Sequence, residues 1–221
     1  MEILKLSNCY GSKTKGVYVL KPAAASNTVY YFNPDDKHSA YEFGKQLFAL
    51  VKHHMCYHRT IIFLCIGSDR ATGDCLGPII GYKLSSQPYF KYKIYGTLKN
   101  PVHAKNLSET INHIYATYDD PCIIAIDASL GKSNHVGYIT VGEGSLKPGA
   151  GVDKELPHVG DVFITGIVNF SGLLDQMLLQ TTRLNVVMDL ADFICLGINY
   201  CNYRLDKLNA RDDLSNERVM V

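Results

Sequence analysis

Two apolar segments of this chain each lead into an aspartate. Residues 61–66 are followed by the run Gly67-Ser-Asp-Arg-Ala-Thr-Gly-Asp74, and residues 122–126 are followed directly by Asp127. If the two segments are neighbouring parallel strands, both carboxylates leave the same edge of the sheet and can approach each other. In a partly desolvated crevice, such a pair holds one proton and can act as acid and base. Asp74 and Asp127 are therefore the candidate catalytic residues.

Each of these aspartates also has an ordinary structural interpretation. Asp74 precedes Leu76-Gly-Pro78, where proline suits a helix start, so its side chain could cap that helix. Asp127 could cap a turn after its strand. Asp69 suits a turn closed by its own side chain or an ion pair with Arg70, yet its place in the same run also makes it a candidate substrate-binding residue. Spacing alone leaves these alternatives open.

Two other regions could reach the same crevice. His103 follows a predicted strand exit, and packing within its loop is the alternative. Residues 142–151 read Gly-Glu-Gly-Ser-Leu-Lys-Pro-Gly-Ala-Gly. Glycines permit close approach of backbone N–H groups to a substrate carbonyl or developing oxyanion, which makes Gly149 and Gly151 candidate substrate-binding residues. The alternative is a plain turn-rich connection.

The cluster His53-His-Met-Cys-Tyr-His58 contains residue types that bind zinc. Zinc sites usually pair such a cluster with a second Cys or His set at defined spacing, and the sequence has none. We interpret the cluster as exposed histidines at a helix end, where the helix dipole favours cations. We expect neither a metal nor another cofactor.

Strand and helix patterns alternate along the chain and indicate the elements that must position these residues. Apolar or alternating segments predict strands, and apolar residues three or four apart predict helices. The alternation favours a three-layer α/β sandwich with a mostly parallel central sheet, in which sites lie beyond the carboxyl ends of strands. Strands are predicted at 17–20, 29–32, 60–66, 93–95, 122–126 and 161–168 with a hairpin-like region at 136–141, and helices at 39–51, 77–84, 104–118, 173–180 and 185–203.

Composition narrows the class of protein. The 221 residues are 47% apolar and 19% charged, as in globular proteins, and no linker or repeat divides them, so we predict a single domain over residues 1–221. Because 22 basic residues nearly balance 21 acidic ones, direct nucleic-acid binding is not expected. The longest uninterrupted apolar run, 61–66, is too short to cross a membrane. Seven cysteines without a CxxC pair, and a polar N-terminus, fit a reducing, cytoplasmic location.

Several motifs of the sequence are shared with a known family. They are Cys65-Ile-Gly-Ser-Asp-Arg-Ala-Thr-Gly-Asp-Cys-Leu-Gly-Pro78, Val102-His-Ala, Ile126-Asp-Ala and Leu146-Lys-Pro-Gly-Ala-Gly-Val152 with Lys154-Glu-Leu. From about residue 41 to residue 195 the chain resembles the YyaC-like sporulation proteins, relatives of the germination protease that degrades small acid-soluble spore proteins. Resemblance to the germination protease itself is limited to the Gly-Asp-x-Leu-Gly-Pro turn, the Ile-Asp-Ala turn and the Pro-Gly-Ala-Gly-Val loop followed by Lys-Glu-Leu.

The resemblance implies a function and a fold. The germination protease is regarded as an atypical aspartic-type peptidase, and its two aspartates match Asp74 and Asp127 here. By this resemblance we expect a metal-independent, sporulation-associated peptidase in the cytoplasm of the forespore or mother cell, on the phosphorylase/hydrolase-like fold of hydrogenase-maturation proteases. Its partners would be protein or peptide substrates, with small acid-soluble spore proteins as candidates, and a homo-oligomer is left open.

Two other functions fit the same resemblance. A sporulation protein that binds or assembles could retain the fold and the acidic crevice without turnover. A metal-dependent maturation endopeptidase would use an acidic ligand, an aspartate and a later histidine. The segment where that histidine is expected, residues 165–171, contains Asn169 but no histidine. Metal independence is therefore the interpretation that we carry forward.

Overall fold

The computed structural model describes residues 28–55, 60–149 and 156–219. The predicted strand at 17–20, Gly151 and the end of the histidine cluster at 56–58 lie outside them. Elements of the described residues, in chain order, are β1 Val29–Phe32, α1 Ser39–Met55, β2 Ile61–Cys65, α2 Leu76–Ser85, β3 Lys93–Tyr95, α3 Leu107–Thr117, β4 Cys122–Gly131, β5 Ile139–Glu143, β6 Val162–Phe170, α4 Asp175–Gln180 and α5 Leu184–Val219, with short 3-10 helices at Gly73–Cys75 and Ser133–His135.

The strands form a single sheet in the order β1-β5-β6-β4-β2-β3. Strands β3, β2, β4 and β6 pair in parallel, whereas β5 pairs antiparallel with β6 and β1 pairs antiparallel with β5. The prediction of a mostly parallel central sheet is confirmed. Because β2 and β4 are direct parallel neighbours, with Cys65 beside Ile126, the two candidate aspartates follow neighbouring strand positions.

Helices cover both faces of the sheet. Phe63 and Cys65 of β2 face the core beneath α1, α2 and α5, whereas Ile62 and Leu64 face the core beneath α3. Burial on both faces explains why the central strands read as uninterrupted apolar runs rather than as alternating ones. The predicted three-layer α/β architecture is confirmed.

One strand boundary differs from the prediction in a way that affects the site. The sequence predicts that β4 ends at Ile126 and that Asp127 lies in a turn, but β4 continues to Gly131. Strand β6 pairs with this continuation, placing Thr165 beside Asp127 and Gly166 beside Ala128. The predicted turn is wrong because pairing with a later strand, which the local sequence does not reveal, keeps the chain extended.

Helix α5 is apolar over much of its length. By length and composition alone, its segment Leu184–Ala210 could cross a membrane, and half of its most apolar window is buried inside the protein. Buried residues of this segment, including Leu190, Ile194 and Ile198, pack in the core with α1 and α2. Core packing therefore explains why α5 is so apolar. Because polar residues interrupt this segment, it contains no long uninterrupted apolar run that would mark it in the sequence.

Candidate active site

A tight turn after β2 positions Asp74. The Gly67 N–H donates to the Val102 carbonyl at 2.7 Å, and the Ser68 N–H donates to the Asp74 carbonyl at 3.1 Å. Gly67 has a φ of +140°, and a Cβ at this position would collide with the Asp74 carbonyl, so glycine allows the close approach. The turn therefore folds Asp74 back toward the end of β2.

Asp74 does not cap α2, which was the alternative interpretation of this residue. Asp74 lies inside the 3-10 helix Gly73–Cys75, and Cys75, the residue that precedes α2, makes no side-chain capping hydrogen bond. The Ser68 N–H, which donates to the Asp74 backbone carbonyl, also stabilises the ionised form of the Asp74 carboxyl group. Asp74 is half-buried, so its carboxylate is held by the turn and remains accessible from one side.

Asp127 is placed differently, because it belongs to the central strand β4. Its side chain is 5% exposed. The Ala128 N–H donates to Asp127 Oδ1 at 2.8 Å, and the backbone N–H of Gly149 stabilises the ionised form of the same carboxyl group. The hydrogen bond from Ala128 fixes the carboxyl group at the edge of the sheet.

The two aspartates meet at one cavity of about 300 Å³. Asp74 and Asp127 both line it, together with His103 and Gly149. The expectation that the two carboxylates share a single cleft is therefore met, although their catalytic role stays a prediction.

Burial and mutual repulsion raise the pKa of Asp127 well above its ordinary value. Burial is the larger cause, and the negative charge of Asp74 is the second. The N–H donors of Ala128 and Gly149 act in the opposite direction because they stabilise the ionised form. The net effect favours a protonated Asp127.

The pKa of Asp74 is also raised by burial, but two groups oppose the shift. The Ser68 N–H and the charge of His103 both lower the pKa of Asp74 by stabilising its carboxylate. Asp74 is also less buried than Asp127. As pH rises, Asp74 is therefore the first of the pair to ionise, and its charge then helps to keep the proton on Asp127.

The loop that follows β3 holds His103 at the cavity. The Asn106 side chain accepts the His103 N–H at 2.8 Å and donates to the Pro101 carbonyl at 3.0 Å, which fixes the loop. His103 Nδ1 lies 3.3 Å from the Lys105 N–H and accepts its proton. In the neutral form of His103, this contact places the ring proton on Nε2.

The other residues predicted to bind substrate differ in whether they line the cavity. Gly149 lines the cavity, whereas Gly151 lies outside the described residues. Asp69 is exposed and does not line the cavity. The side-chain hydrogen bond in its turn is made by Ser68 Oγ, which accepts the Arg70 N–H at 3.2 Å.

The sequence analysis missed the wall of the cavity that α4 forms. Gln176 and Gln180 line the cavity from this helix, with Leu179 between them. Asn169, in the segment where a histidine was considered, anchors the helix because its side-chain amide donates to the Leu178 carbonyl at 3.0 Å. The sequence signal for this wall was a pair of polar residues four positions apart, next to a leucine that is buried in the structure. Arg70 and Lys105 also line the cavity without having been singled out.

Within residues 28–55, 60–149 and 156–219, no three His, Cys, Asp or Glu side chains are arranged to hold a metal ion. In the histidine cluster, the rings of His53 and His54 contact each other edge to face at a centroid distance of 5.6 Å. His54 also lies 3.4 Å from the Glu143 carboxylate.

Comparison with known proteins assigns the chain to a family. Residues 31–197 match the family described as "Protein of unknown function (DUF1256)". The chain belongs to the DUF1256 family. One relative of this DUF1256 chain is "Uncharacterized protein YyaC" of Bacillus subtilis (strain 168), which is 46% identical over 154 residues, covering 68% of this chain and 75% of the relative. The resemblance to YyaC-like proteins is confirmed, whereas the relation to the germination protease stays a prediction.

A solved structure with partial similarity is the [NiFe] hydrogenase maturation protease HycI from Thermococcus kodakarensis KOD1. It is 14% identical and aligns with a TM-score of 0.31 over 65% of this chain and 98% of its own. This similarity is too low to carry information about function.

Proposed function

We propose that this DUF1256 protein is a metal-independent peptidase of aspartic type, in which Asp74 and Asp127 hydrolyse a peptide bond. One observation carries the proposal: the two carboxylates line one cavity in environments that separate their affinities for protons. A pair of titratable groups with separated pKa values is the arrangement that assigns one group as acid and the other as base.

In this proposal, each aspartate takes a different step. Ionised Asp74 removes a proton from a water molecule, and the water oxygen attacks the carbonyl carbon of the scissile bond. Protonated Asp127 donates its proton to the departing amide nitrogen as the C–N bond breaks. The backbone N–H of Gly149 stabilises the Asp127 carboxylate once it has ionised. A second proton transfer, from Asp74 to Asp127, restores the pair.

The biological setting of the proposal rests on the motifs around the two aspartates, which resemble those of the germination protease. By that resemblance the protein acts during sporulation, in the cytoplasm of the forespore or mother cell. Its substrates are proteins or peptides, and small acid-soluble spore proteins are the first to test.

The test is cleavage of purified small acid-soluble spore proteins by the full-length protein, with and without a chelator. Cleavage that a chelator does not affect, and that Asp74→Asn and Asp127→Asn each abolish, supports the proposal. Chelator-sensitive cleavage would replace it with the metal-dependent maturation-type peptidase. Binding of the same proteins without cleavage would replace it with a non-catalytic binding or assembly role.

A further inference from the structure

A second cavity, of about 380 Å³, opens on the face of the sheet that carries Asp127. Helix α3 packs on β2 and the first half of β4 on this face, where Leu107 and Ile111 meet Ile62 and Ile123. The cavity lies beyond that cover, over the second half of β4 and over β6, β5 and β1, and its lining includes Ser129, Lys132, His135, Thr140 and Thr165.

Strand register connects this cavity to the candidate active site. Asp127 of β4 pairs with Thr165 of β6, Thr165 pairs with Thr140 of β5, and Thr140 pairs with Tyr31 of β1. Paired residues on neighbouring strands project from the same face of a sheet, so the four side chains form one row. Asp127 lines the first cavity, and the other three line the second. The two cavities are therefore neighbours along this row.

The row also gives the approximate distance between Asp127 and the second cavity. Neighbouring strands lie about 4.8 Å apart, so Asp127 and Thr140, two strand positions apart, are separated by about 10 Å. An extended polypeptide advances about 3.3 Å per residue and covers this span with about three residues. A substrate cleaved at the first cavity could therefore occupy the second with a group about three residues from the scissile bond.

The hydroxyl groups in the second cavity form a short hydrogen-bonded chain. Ser129 Oγ donates to Thr165 Oγ1 at 3.2 Å, and the hydroxyls of Thr165 and Thr140 share a hydrogen bond of 2.7 Å. Ser129 Oγ also lies 3.4 Å from the Gly166 carbonyl, which is farther than its contact with Thr165. When Ser129 donates to Thr165, two of the three hydroxyl protons are used within this chain and the third can be donated to a ligand. Thr140 and Thr165 are 6% and 8% exposed, which holds both side chains in fixed positions.

The other polar groups of the cavity are also donors. Lys132 contributes an ammonium group, and His135 contributes a ring N–H. The His135 ring is oriented by Tyr31 and Tyr138, each at a centroid distance of 5.3 Å. Among the described residues that line the cavity, none is acidic. A site with hydroxyl, imidazole and ammonium donors is complementary to a negatively charged acceptor group.

We propose that the second cavity is a subsite that binds a carboxylate of the polypeptide substrate about three residues from the scissile bond. This inference rests on the proposed peptidase function. The carboxylate could belong to an Asp or Glu side chain or to the chain terminus, because both present the same acceptor atoms. The subsite would select where a polypeptide is cut, while the aspartate pair performs the cut.

The test measures binding, so that its result is independent of turnover. Full-length Asp74→Asn protein is titrated calorimetrically with three short acetylated peptides. The first has an internal glutamate and an amidated end, the second has glutamine in its place and an amidated end, and the third has glutamine and a free carboxyl end. The Lys132→Gln and Thr140→Val changes are then added, with Lys99→Gln, an exposed lysine outside both cavities, as the matched control.

We expect either the glutamate peptide or the free-carboxyl peptide to bind about tenfold more tightly than the neutral peptide, a difference of about 1.4 kcal/mol, since hydrogen bonds to a charged group are stronger than those to a neutral one. Which of the two binds more tightly identifies the source of the carboxylate. Lys132→Gln and Thr140→Val should remove most of this preference, and Lys99→Gln should not. Because Lys132 is exposed, its replacement tests the subsite even if Thr140→Val unfolds the protein.

Equal binding of all three peptides, or an equal loss of the preference in Lys99→Gln, would overturn the subsite. Neither result would test the proposed catalytic role of the aspartate pair. That proposal fails if the unmodified protein does not cleave its substrates.

Discussion

Asp74 and Asp127 reach the same cavity by different routes. Asp127 lies inside a central strand, is 5% exposed and has a pKa raised by burial and by its partner's charge. Asp74 lies in a 3-10 helix after a tight turn, is half-buried and has Ser68 and His103 to stabilise its carboxylate. Two residues of one type, each after an apolar run of the sequence, thereby acquire different protonation, because the depth at which a carboxyl group lies sets the cost of its charge.

The largest expected effect concerns activity. If the two aspartates are acid and base, Asp74→Asn and Asp127→Asn should each lower the rate of substrate cleavage by about 10²–10⁴-fold. Asp69→Asn, which removes a carboxylate from the same turn but outside the cavity, should retain nearly the parental rate. Initial rates on small acid-soluble spore proteins would measure this. A large loss in Asp69→Asn, or none in Asp127→Asn, would break the assignment.

The next effect concerns stability and separates the two aspartates. Because the folded-state pKa of Asp127 is raised, ionisation of Asp127 destabilises the fold. The loss of stability begins near pH 3.9, the unfolded value for aspartate, and is complete above the folded-state pKa. For each pKa unit by which the folded and unfolded states differ, the free energy of unfolding falls by about 1.4 kcal/mol.

Asp127→Asn should therefore unfold at a higher temperature than the parent near neutral pH, and the difference should vanish below about pH 3.9. Thermal unfolding across a pH series would measure it, with Asp74→Asn expected to show the smaller gain. A lower melting temperature for Asp127→Asn at neutral pH would indicate that its hydrogen bonds, rather than its charge, dominate.

A third prediction concerns the direction of coupling between the pair. The charge of Asp74 raises the pKa of Asp127, whereas Asp127 is still protonated, and therefore uncharged, over the pH range in which Asp74 ionises. Asp74→Asn should therefore lower the pKa of Asp127 part of the way, because burial remains, and Asp127→Asn should leave that of Asp74 nearly unchanged. Carboxyl ¹³C NMR titration of each variant would show this. Equal shifts in both variants would contradict the order of ionisation.

The smallest expected effect concerns the backbone N–H of Gly149, which stabilises the Asp127 carboxylate. Gly149 has a φ of +93°, so Gly149→Ala strains the backbone and should move the N–H that stabilises the Asp127 carboxylate. We expect cleavage to fall by about threefold to tenfold, which corresponds to the loss of about one hydrogen bond. Gly144→Ala is the matched control, because Gly144 has a φ of +105° and open space around its Cβ position. Equal losses of activity in both variants would indicate a general effect of loop strain.

Much of the fold could be predicted from local pattern. The runs at 61–66 and 122–126 are apolar throughout because both faces of their strands are buried, which is typical of parallel strands between helices. Helix α3 was recognisable from Leu107, Ile111 and Ile114, which share one face and are all buried. Such signals depend on residues near one another in sequence, so the chain itself displays them.

The sequence by itself determined that two aspartates each follow an apolar run, and it pointed to the glycine-rich turn that leads to Asp74. Only the tertiary structure decided that Asp127 lies within a strand, that α4 forms a wall of the cavity and that a row of hydroxyls leads to a second cavity. The reason is that these features depend on contacts between segments that are distant in sequence, such as Asp127 with Thr165 and Thr140 with Thr165. Burial, and with it the protonation of the pair, is likewise set by everything that packs around a residue rather than by its neighbours in sequence.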